Sequence, residues 1–401
     1  MTITEQLDNK KVLIWGYGRE GKSTENFLKT HCNCTKLDIY EGSCEELPID
    51  DYDMVIKSPG ISHLEYNEKI TSQTQLFLSE FADRTIGVTG TKGKSTTVSL
   101  LYEVLSKCLD RPVMLVGNIG YPCFDFVDDI KNNTVIVYEL SCHQLCNLTV
   151  SPHIAVFLNL FEEHLDYYHS FENYFKAKKN IALHQKEEDF VFIGENVPAF
   201  PVNSKLMTVG KNETSFSLKI PGEHNQINAN FVFQIAEKLY GIEEGRIRKA
   251  MEDFAGLSHR LEYVCTKNGI RFYDDSISTI PEAAVQSVKS VDNVQTVLIG
   301  GMDRGIDYSV LVDFIKERED VKFICMYETG DRIYRELMER NGLPFSNCIL
   351  CTDLTEAVKK AAELTEDGKA CVLSPAAPSY KYFKNFEERG DVFKNLIKEM
   401  L

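Results

Sequence analysis

The sequence is short of positive charge. Its 44 Lys and Arg face 60 Asp and Glu, a formal net charge of −16. That balance argues against nucleic acid or an anionic membrane surface as the main partner. If such a chain handles phosphates, it must concentrate its cations, or Mg²⁺, in one place. Also missing is any uncharged run of the length needed to span a bilayer. The start, Met1 to Lys11, lacks the apolar segment of a signal peptide. A cytoplasmic protein is therefore expected. Zinc-knuckle spacing is absent too. The 12 cysteines are scattered, and Cys32/Cys34, Cys142/Cys146 and Cys348/Cys351 do not form the paired signature of a structural zinc site. Reduced, mostly buried thiols are the expectation. What remains is ordinary globular composition, 43% hydrophobic and 26% charged, over 401 residues, enough for two to four domains.

The most informative stretch is Thr85-Ile86-Gly87-Val88-Thr89-Gly90-Thr91-Lys92-Gly93-Lys94-Ser95-Thr96-Thr97. It reads as an apolar strand, a glycine-rich turn and a helix beginning near Gly93. Gly90 and Gly93 let backbone N–H groups curl inward, and a helix start adds partial positive charge, so phosphate fits there. Lys94 would reach the β/γ-phosphates of a nucleotide triphosphate, and the Ser95 hydroxyl would ligate Mg²⁺. Val88 stands where the strict P-loop has its first glycine.

Upstream, the buried-strand run Lys11 to Trp15 leads directly into Gly16-Tyr17-Gly18-Arg19-Glu20-Gly21 and a helical segment from Lys22 to Lys29. A second strand, Leu37 to Tyr40, follows. In that context G-x-G-x-x-G places a diphosphate on a helix N-terminus without saying which nucleotide carries it. A third strand, Met54 to Ile56, ends at Lys57-Ser58-Pro59-Gly60-Ile61, where α/β ligands usually sit. A tight surface turn is the other reading of that segment.

Beyond the phosphate loop, the helix to Cys108 places Val98, Leu101, Val104 and Leu105 on one face. The strand Val113 to Val116 ends at Gly117-Asn118-Ile119-Gly120, and Thr134 to Tyr138 delivers Glu139 just before Ser141-Cys142-His143-Gln144. Ile154 to Leu158 delivers Asn159 and then Glu162-Glu163-His164-Leu165-Asp166. Strands alternating with helices give a parallel sheet with its loops on one edge. A carboxylate and an imidazole at neighbouring strand ends, facing a phosphate loop, suit a second Mg²⁺. Further on, Asn268-Gly269 marks a hairpin. Strands at Gln295 to Ile299, Lys322 to Met326, Cys348 to Leu350 and Ala370 to Leu373 alternate with helices as a third α/β domain.

Gly90 to Ser95, Gly117 to Gly120, Glu139-Leu140-Ser141 and His164-Leu165-Asp166 resemble, in order and spacing, the Mur ligases, the ATP-dependent amide-forming enzymes of peptidoglycan precursor synthesis. The likeness is greatest to the branch that adds glutamate. The fold it implies is α/β in three domains: residues 1–83, Rossmann-like and UDP-binding; 84–256, a central P-loop ATPase domain with a parallel sheet; and 257–401, Rossmann-like and amino-acid-binding. The implied substrates are ATP, UDP-N-acetylmuramoyl-L-alanine and glutamate, D-glutamate first, on a monomeric enzyme.

The resemblance also implies roles. Ser95, Glu139 and His164 would hold two Mg²⁺ ions, with Mn²⁺ as a substitute. Lys178 matches a lysine that is carbamylated in the family, which turns a cation into an anion directed toward the metal. Gly16, Tyr17, Gly18, Ser58, Pro59, Gly60, Asn118, Gln144 and His164 would contact the UDP substrate. Gly90, Thr91, Lys92, Gly93, Lys94, Ser95 and Thr96 would hold the ATP phosphates, Asn225 and Asn228 its adenine, Arg260 its phosphates and Asp275 its ribose. Lys94, His164, Lys178 and Arg260 form the implied catalytic group, and Thr279, Arg304, Ser379, Tyr380 and Phe386 would line the glutamate site.

Two positions depart from the family pattern. Ile277 and Arg304 stand where glutamate-adding members usually carry lysines that face the amino acid's carboxylates. Arg304 can replace one with a bidentate clamp, but Ile277 replaces nothing. L-glutamate or another amino acid is therefore the alternative acceptor. A noncatalytic nucleotide-binding subunit is the alternative from another class, against which Lys94, Glu139 and Lys178 are all present. A dehydrogenase read from Gly16-Tyr17-Gly18 alone leaves the second phosphate loop unexplained.

Overall fold

The computed structural model describes residues 2–117, 122–210, 215–220, 222–341 and 346–400. Chain contacts divide them into two units. The first comprises Met1–Ser217 and Gln226–Met251, the second Leu218–Asn225 and Glu252–Leu401.

The first unit carries two sheets. Strands β1 (Lys11–Trp15), β2 (Lys36–Tyr40), β3 (Met54–Lys57) and β4 (Ile70–Thr71) form a parallel sheet in the order β2-β1-β3-β4. Strands β5 (Thr85–Thr89), β6 (Val113–Gly117), β7 (Val135–Glu139), β8 (Ile154–Phe157), β9 (Phe190–Gly194) and β10 (Lys205–Val209) form a second, in the order β10-β9-β8-β5-β7-β6. Every pairing in it is parallel. Its inner strands are apolar on both faces because helices cover both, as the buried runs Ile86–Val88, Val135–Tyr138 and Ile154–Phe157 show. Val98, Leu101, Val104 and Leu105 are all fully buried on the helix Lys94–Cys108, as their spacing requires. One apolar cluster runs from Ile3 and Leu7 through Phe77 and Tyr138 to Val191, so both sheets share a core.

The second unit has one sheet: β11 (Glu262–Lys267), β12 (Ile270–Asp274), β13 (Val294–Ile299), β14 (Lys322–Met326), β15 (Cys348–Cys351) and β16 (Ala370–Leu373), ordered β11-β12-β16-β13-β14-β15. Only β11 and β12 run antiparallel, joined at Asn268-Gly269, both with positive φ as a two-residue hairpin turn requires. The α/β class with parallel sheets is thus as the sequence indicated. The 12 cysteines are free thiols, seven of them buried, with Cys123, Cys325 and Cys371 at zero exposure. Among the described residues no helix is long and apolar enough to cross a membrane.

One boundary differs. The helix after the first glycine-rich turn runs Arg19–His31, starting three residues before the expected Lys22 and enclosing Gly21. Glycine is needed inside it because a Cβ at Gly21 would overlap the Gly16 carbonyl oxygen. The helix can therefore lie close against the strand end. Gly21→Ala should cost about 1–3 kcal/mol. Gly245→Ala, whose Cβ would meet only Glu243 Oε1 at 3.4 Å, should change stability by less than about 1 kcal/mol. The chain's one tryptophan, Trp15, lies buried in β1, so urea unfolding followed by its fluorescence reads the relevant sheet.

Candidate active site

The sheet order explains how distant residues meet. β5, which feeds the phosphate loop, lies between β7 and β8, so the carboxyl ends of three parallel strands converge. Glu139 closes β7 in register with Val88 and is fully buried. Asn159, just past β8, brackets the loop with a pair of bonds. Its Oδ1 accepts the Lys92 N–H at 2.9 Å, and its Nδ2 donates to the Lys92 carbonyl at 3.0 Å. Thr91 is tied in as well. Its hydroxyl meets the Tyr174 hydroxyl at 3.1 Å and accepts the Phe161 N–H at 2.9 Å.

Gly93 caps the following helix at φ 85°, a left-handed conformation that favours glycine. A Cβ there would also stand 2.7 Å from Asn228 Oδ1, so this glycine lets the loop pass the helix Glu223–Tyr240. Ser95 and Thr96 occupy the first turn after it, half-buried.

Two lysines converge on one oxygen. Lys94 Nζ donates to the Gly90 carbonyl at 2.9 Å and to Thr91 O at 3.1 Å. Lys178 Nζ, from the helix Phe171–Leu183, donates to the same Gly90 carbonyl at 2.8 Å. Lys178 is fully buried, and burial together with the Lys94 charge lowers its pKa to about 7. Burial also lowers the Lys94 pKa, opposed by the Glu139 carboxylate. Tyr174 ties this group to His164: its ring lies 4.9 Å from Lys178 Nζ and 6.2 Å from the His164 ring. His164 sits at φ 57° and packs edge-on against the His143 ring at 4.9 Å. Lys92, more exposed, pairs with Glu163 at 2.6 Å.

The first glycine-rich turn opens onto a cleft of about 440 Å³, lined by Gly16, Gly18, Ser58, Pro59, Gly60 and Gln144, with Glu20 alongside. Gly16 takes φ 92°, and its carbonyl accepts the Ser58 hydroxyl at 2.8 Å, which joins the two loops. Tyr17 turns aside to donate to Glu25 at 2.6 Å. Gln144 reaches the cleft from the central sheet, and its Nε2 donates to Glu20 Oε1 at 2.9 Å. Asn118 lies outside the described residues.

In the second unit, Arg260 follows His259, whose Nδ1 bonds Asp274 Oδ2 at 2.7 Å. Asp275 is buried, and its carboxylate accepts Leu261 N–H at 3.0 Å, the Ser374 hydroxyl at 3.2 Å and the Ser287 hydroxyl. Burial raises its pKa to about 6. Arg304 Nη2 donates to the Thr279 carbonyl at 2.9 Å, which puts two of the expected acceptor-site residues together. Ser379 is buried, Tyr380 exposed, and Phe386 begins the helix Phe386–Met400, its carbonyl accepting the Ser276 hydroxyl. Ile277 is half-buried and offers no charge. Asn225 belongs to this unit, Asn228 to the first.

Sequence reasoning gave no role to three structural partners: Asn159 and Tyr174 around the loop, and Arg389. Arg389 is fully buried and holds two loops by donating to Ser276 O at 2.7 Å, Ser276 Oγ at 3.0 Å and Ala377 O at 2.9 Å. The signal available for Asn159 was an amide at a strand's carboxyl end beside the loop's own strand. For Arg389 local sequence offered none, because its partners lie 12 and 113 positions away.

The Lys178 geometry fixes a sign. The unfolded chain holds this amine's proton up to the ordinary lysine value, whereas the folded chain releases it near 7. Between those values the unfolded state binds more protons, so the contribution of Lys178 to stability rises with pH, by at most about 1.4 kcal/mol per pH unit. In bicarbonate-free buffer, wild-type stability should rise from pH 7 to 10 relative to Lys178→Met. Parallel curves by circular dichroism in urea would mean that the amine titrates as if exposed.

A family profile described as "Mur ligase middle domain" matches residues 88–202. The chain is 31% identical to the UDP-N-acetylmuramoyl-L-alanine–L-glutamate ligase of Salinispora tropica, with 98% of each chain covered. It is 32% identical to the UDP-N-acetylmuramoylalanine–D-glutamate ligase of Streptococcus agalactiae, over 100% of this chain and 99% of that one. The solved structure of MurF ligase from Thermotoga maritima in complex with ADP superposes with a TM-score of 0.59 at 16% identity, covering 99% of this chain and 97% of that one. At that identity the likeness is one of fold alone.

Proposed function

This chain belongs to the Mur ligase family, and from that premise we propose that it is the ATP-dependent ligase that joins glutamate, D-glutamate in the first place, to UDP-N-acetylmuramoyl-L-alanine. The observation that carries the reading is the convergence of Lys94 and Lys178 on the Gly90 carbonyl beside the buried Glu139. It sets the Lys94 cation and a near-neutral amine at the phosphate loop of an otherwise acidic protein.

In the proposed reaction, a carboxylate oxygen of the UDP substrate attacks the γ-phosphorus of ATP, giving an acyl phosphate and ADP. The amine of glutamate then attacks the acyl carbon, phosphate leaves, and the nitrogen loses a proton. Gly90 to Thr96 orient the phosphates through backbone N–H groups, and Lys94 offsets charge on the γ-phosphoryl oxygens. Arg260 joins it on the phosphates, Asn225 and Asn228 take the adenine, and Asp275 the ribose. The UDP substrate occupies the cleft of Gly16, Gly18, Ser58, Pro59, Gly60 and Gln144, with Tyr17, Asn118 and His164 also in contact. Thr279, Arg304, Ser379, Tyr380 and Phe386 receive the amino acid.

The donor set suits hard cations: a serine hydroxyl, a buried carboxylate and an imidazole. Ser95, Glu139 and His164, with a carbamate on Lys178, would hold two Mg²⁺ or Mn²⁺ ions, which when bound neutralise phosphate charge. The near-neutral Lys178 amine suits carbamylation, since only the uncharged amine attacks carbon dioxide. The domains follow the division 1–83, 84–256 and 257–401, and the enzyme works as a cytoplasmic monomer.

A second reading keeps the chemistry and takes L-glutamate. The absent charge at Ile277 favours it, and the two relatives' names divide between the enantiomers. Phosphate release from ATP with UDP-N-acetylmuramoyl-L-alanine should depend on D-glutamate. Lys94→Ala should lower it at least about a hundredfold. Release that needs L-glutamate instead moves the assignment to the second reading, and release under no condition refutes both.

A further inference from the structure

The diphosphate loop contains a carboxyl group where an anion is expected. Glu20 is the second residue of the helix Arg19–His31, whose N-cap, Gly18, offers no side-chain cap. It borders the 440 Å³ cleft and also a smaller cavity of about 170 Å³. Its Oε1 accepts the Gln144 amide at 2.9 Å. The other end of that amide, Gln144 Oε1, accepts the Ser141 N–H at 3.0 Å and the Ser141 hydroxyl at 3.1 Å. Gln144 is therefore fixed at both ends, and Glu20 is the tether between the first sheet's glycine loop and the central sheet.

The surroundings do little to hold Glu20 charged. Lys57, at the end of β3, acts on it through space, but the Lys57 ammonium is committed to the Ile61 carbonyl at 2.8 Å and burial lowers its own pKa. From the helix and strand packed beneath, Cys123 and Tyr138 face it. Burial pushes both well up, so both are neutral. His143 and Cys146 line the smaller cavity with it, and Arg19 precedes it on the same helix. Burial accordingly raises the Glu20 pKa, against the opposing pull of Gln144 and Lys57. An arriving diphosphate adds like charge at the same helix start, which favours the neutral carboxyl further.

We propose that Glu20 is a proton-linked positioning residue of the nucleotide-sugar site, holding Gln144 in place and taking up one proton from solvent as the diphosphate settles on the helix start. The neutral carboxyl keeps one oxygen as acceptor for Gln144 and turns its O–H toward the diphosphate. The inference rests on the reading of this cleft as the UDP-substrate site.

Titration calorimetry of the full chain with UDP-N-acetylmuramoyl-L-alanine, at pH 7.5 and 8.5 in buffers of different ionisation enthalpy, tests it. The ligand's diphosphate is a diester and does not itself titrate there. Wild type should take up a fraction of a proton approaching one per ligand bound, and its affinity should fall with pH by at most about tenfold per unit. Glu20→Gln retains an acceptor for Gln144. It should bind with near-zero uptake and a flat pH dependence, its fold verified by Trp15 fluorescence. Binding by wild type without buffer-dependent heat, or uptake that persists in Glu20→Gln, overturns the inference and leaves the substrate reading intact. Absence of any binding by wild type removes the substrate reading, and the inference with it.

Discussion

A fully buried and a half-buried lysine donating to one carbonyl oxygen form the constraint around which the first unit is built. Lys94 arrives from the loop's own helix and Lys178 from the helix Phe171–Leu183, and both end at Gly90 O. Like charges that close in a dry environment repel strongly, so the arrangement persists only if one amine gives up its proton or an anion joins them. Lys178 does the first, with a pKa near 7, and Glu139 supplies part of the second from the neighbouring strand end. A phosphate or a carbamate would complete the compensation. In a phosphate-handling protein whose net charge is −16, the cation that faces the phosphates is thereby placed at the loop, on Lys94.

The backbone makes that convergence possible. A parallel sheet brings strand ends together, and placing β5 between β7 and β8 puts Glu139 and Asn159 on either side of the loop. The loop is then held at each residue in turn: Thr91 by Tyr174 and Phe161, Lys92 by Asn159, and Gly93 by the lack of a side chain that would strike Asn228. Such prior fixing matters because electrostatic stabilisation of a transferred phosphoryl group depends on donors that need not reorganise during the reaction.

Much of this was legible in the sequence, for identifiable reasons. β1, β14 and β16 have the bounds their apolar runs suggest, because strands covered on both faces are apolar throughout and end where glycine or polar residues begin. Glu139 was legible as a strand-end residue, and Gln144 was singled out by the resemblance. The start of the helix Arg19–His31 was obscured by Gly21, which reads as a loop residue until the carbonyl beneath it is seen. Non-local pairings left no local trace: Glu20 with Gln144 spans 124 positions, and Arg389 with Ser276 spans 113. Lys178 could be singled out from Lys176 and Lys179 only by resemblance. The structure supplies the physical distinction, since Lys178 is the one with its ammonium on the phosphate loop.

The most direct test of the proposed chemistry follows an oxygen atom. UDP-N-acetylmuramoyl-L-alanine labelled with ¹⁸O in its alanine carboxylate would be turned over with ATP and glutamate, and the released phosphate examined by mass spectrometry. Attack of that carboxylate on the γ-phosphorus predicts one ¹⁸O carried into each phosphate released. Phosphate free of label would mean that water, not the substrate carboxylate, meets the phosphoryl group, and would contradict the account.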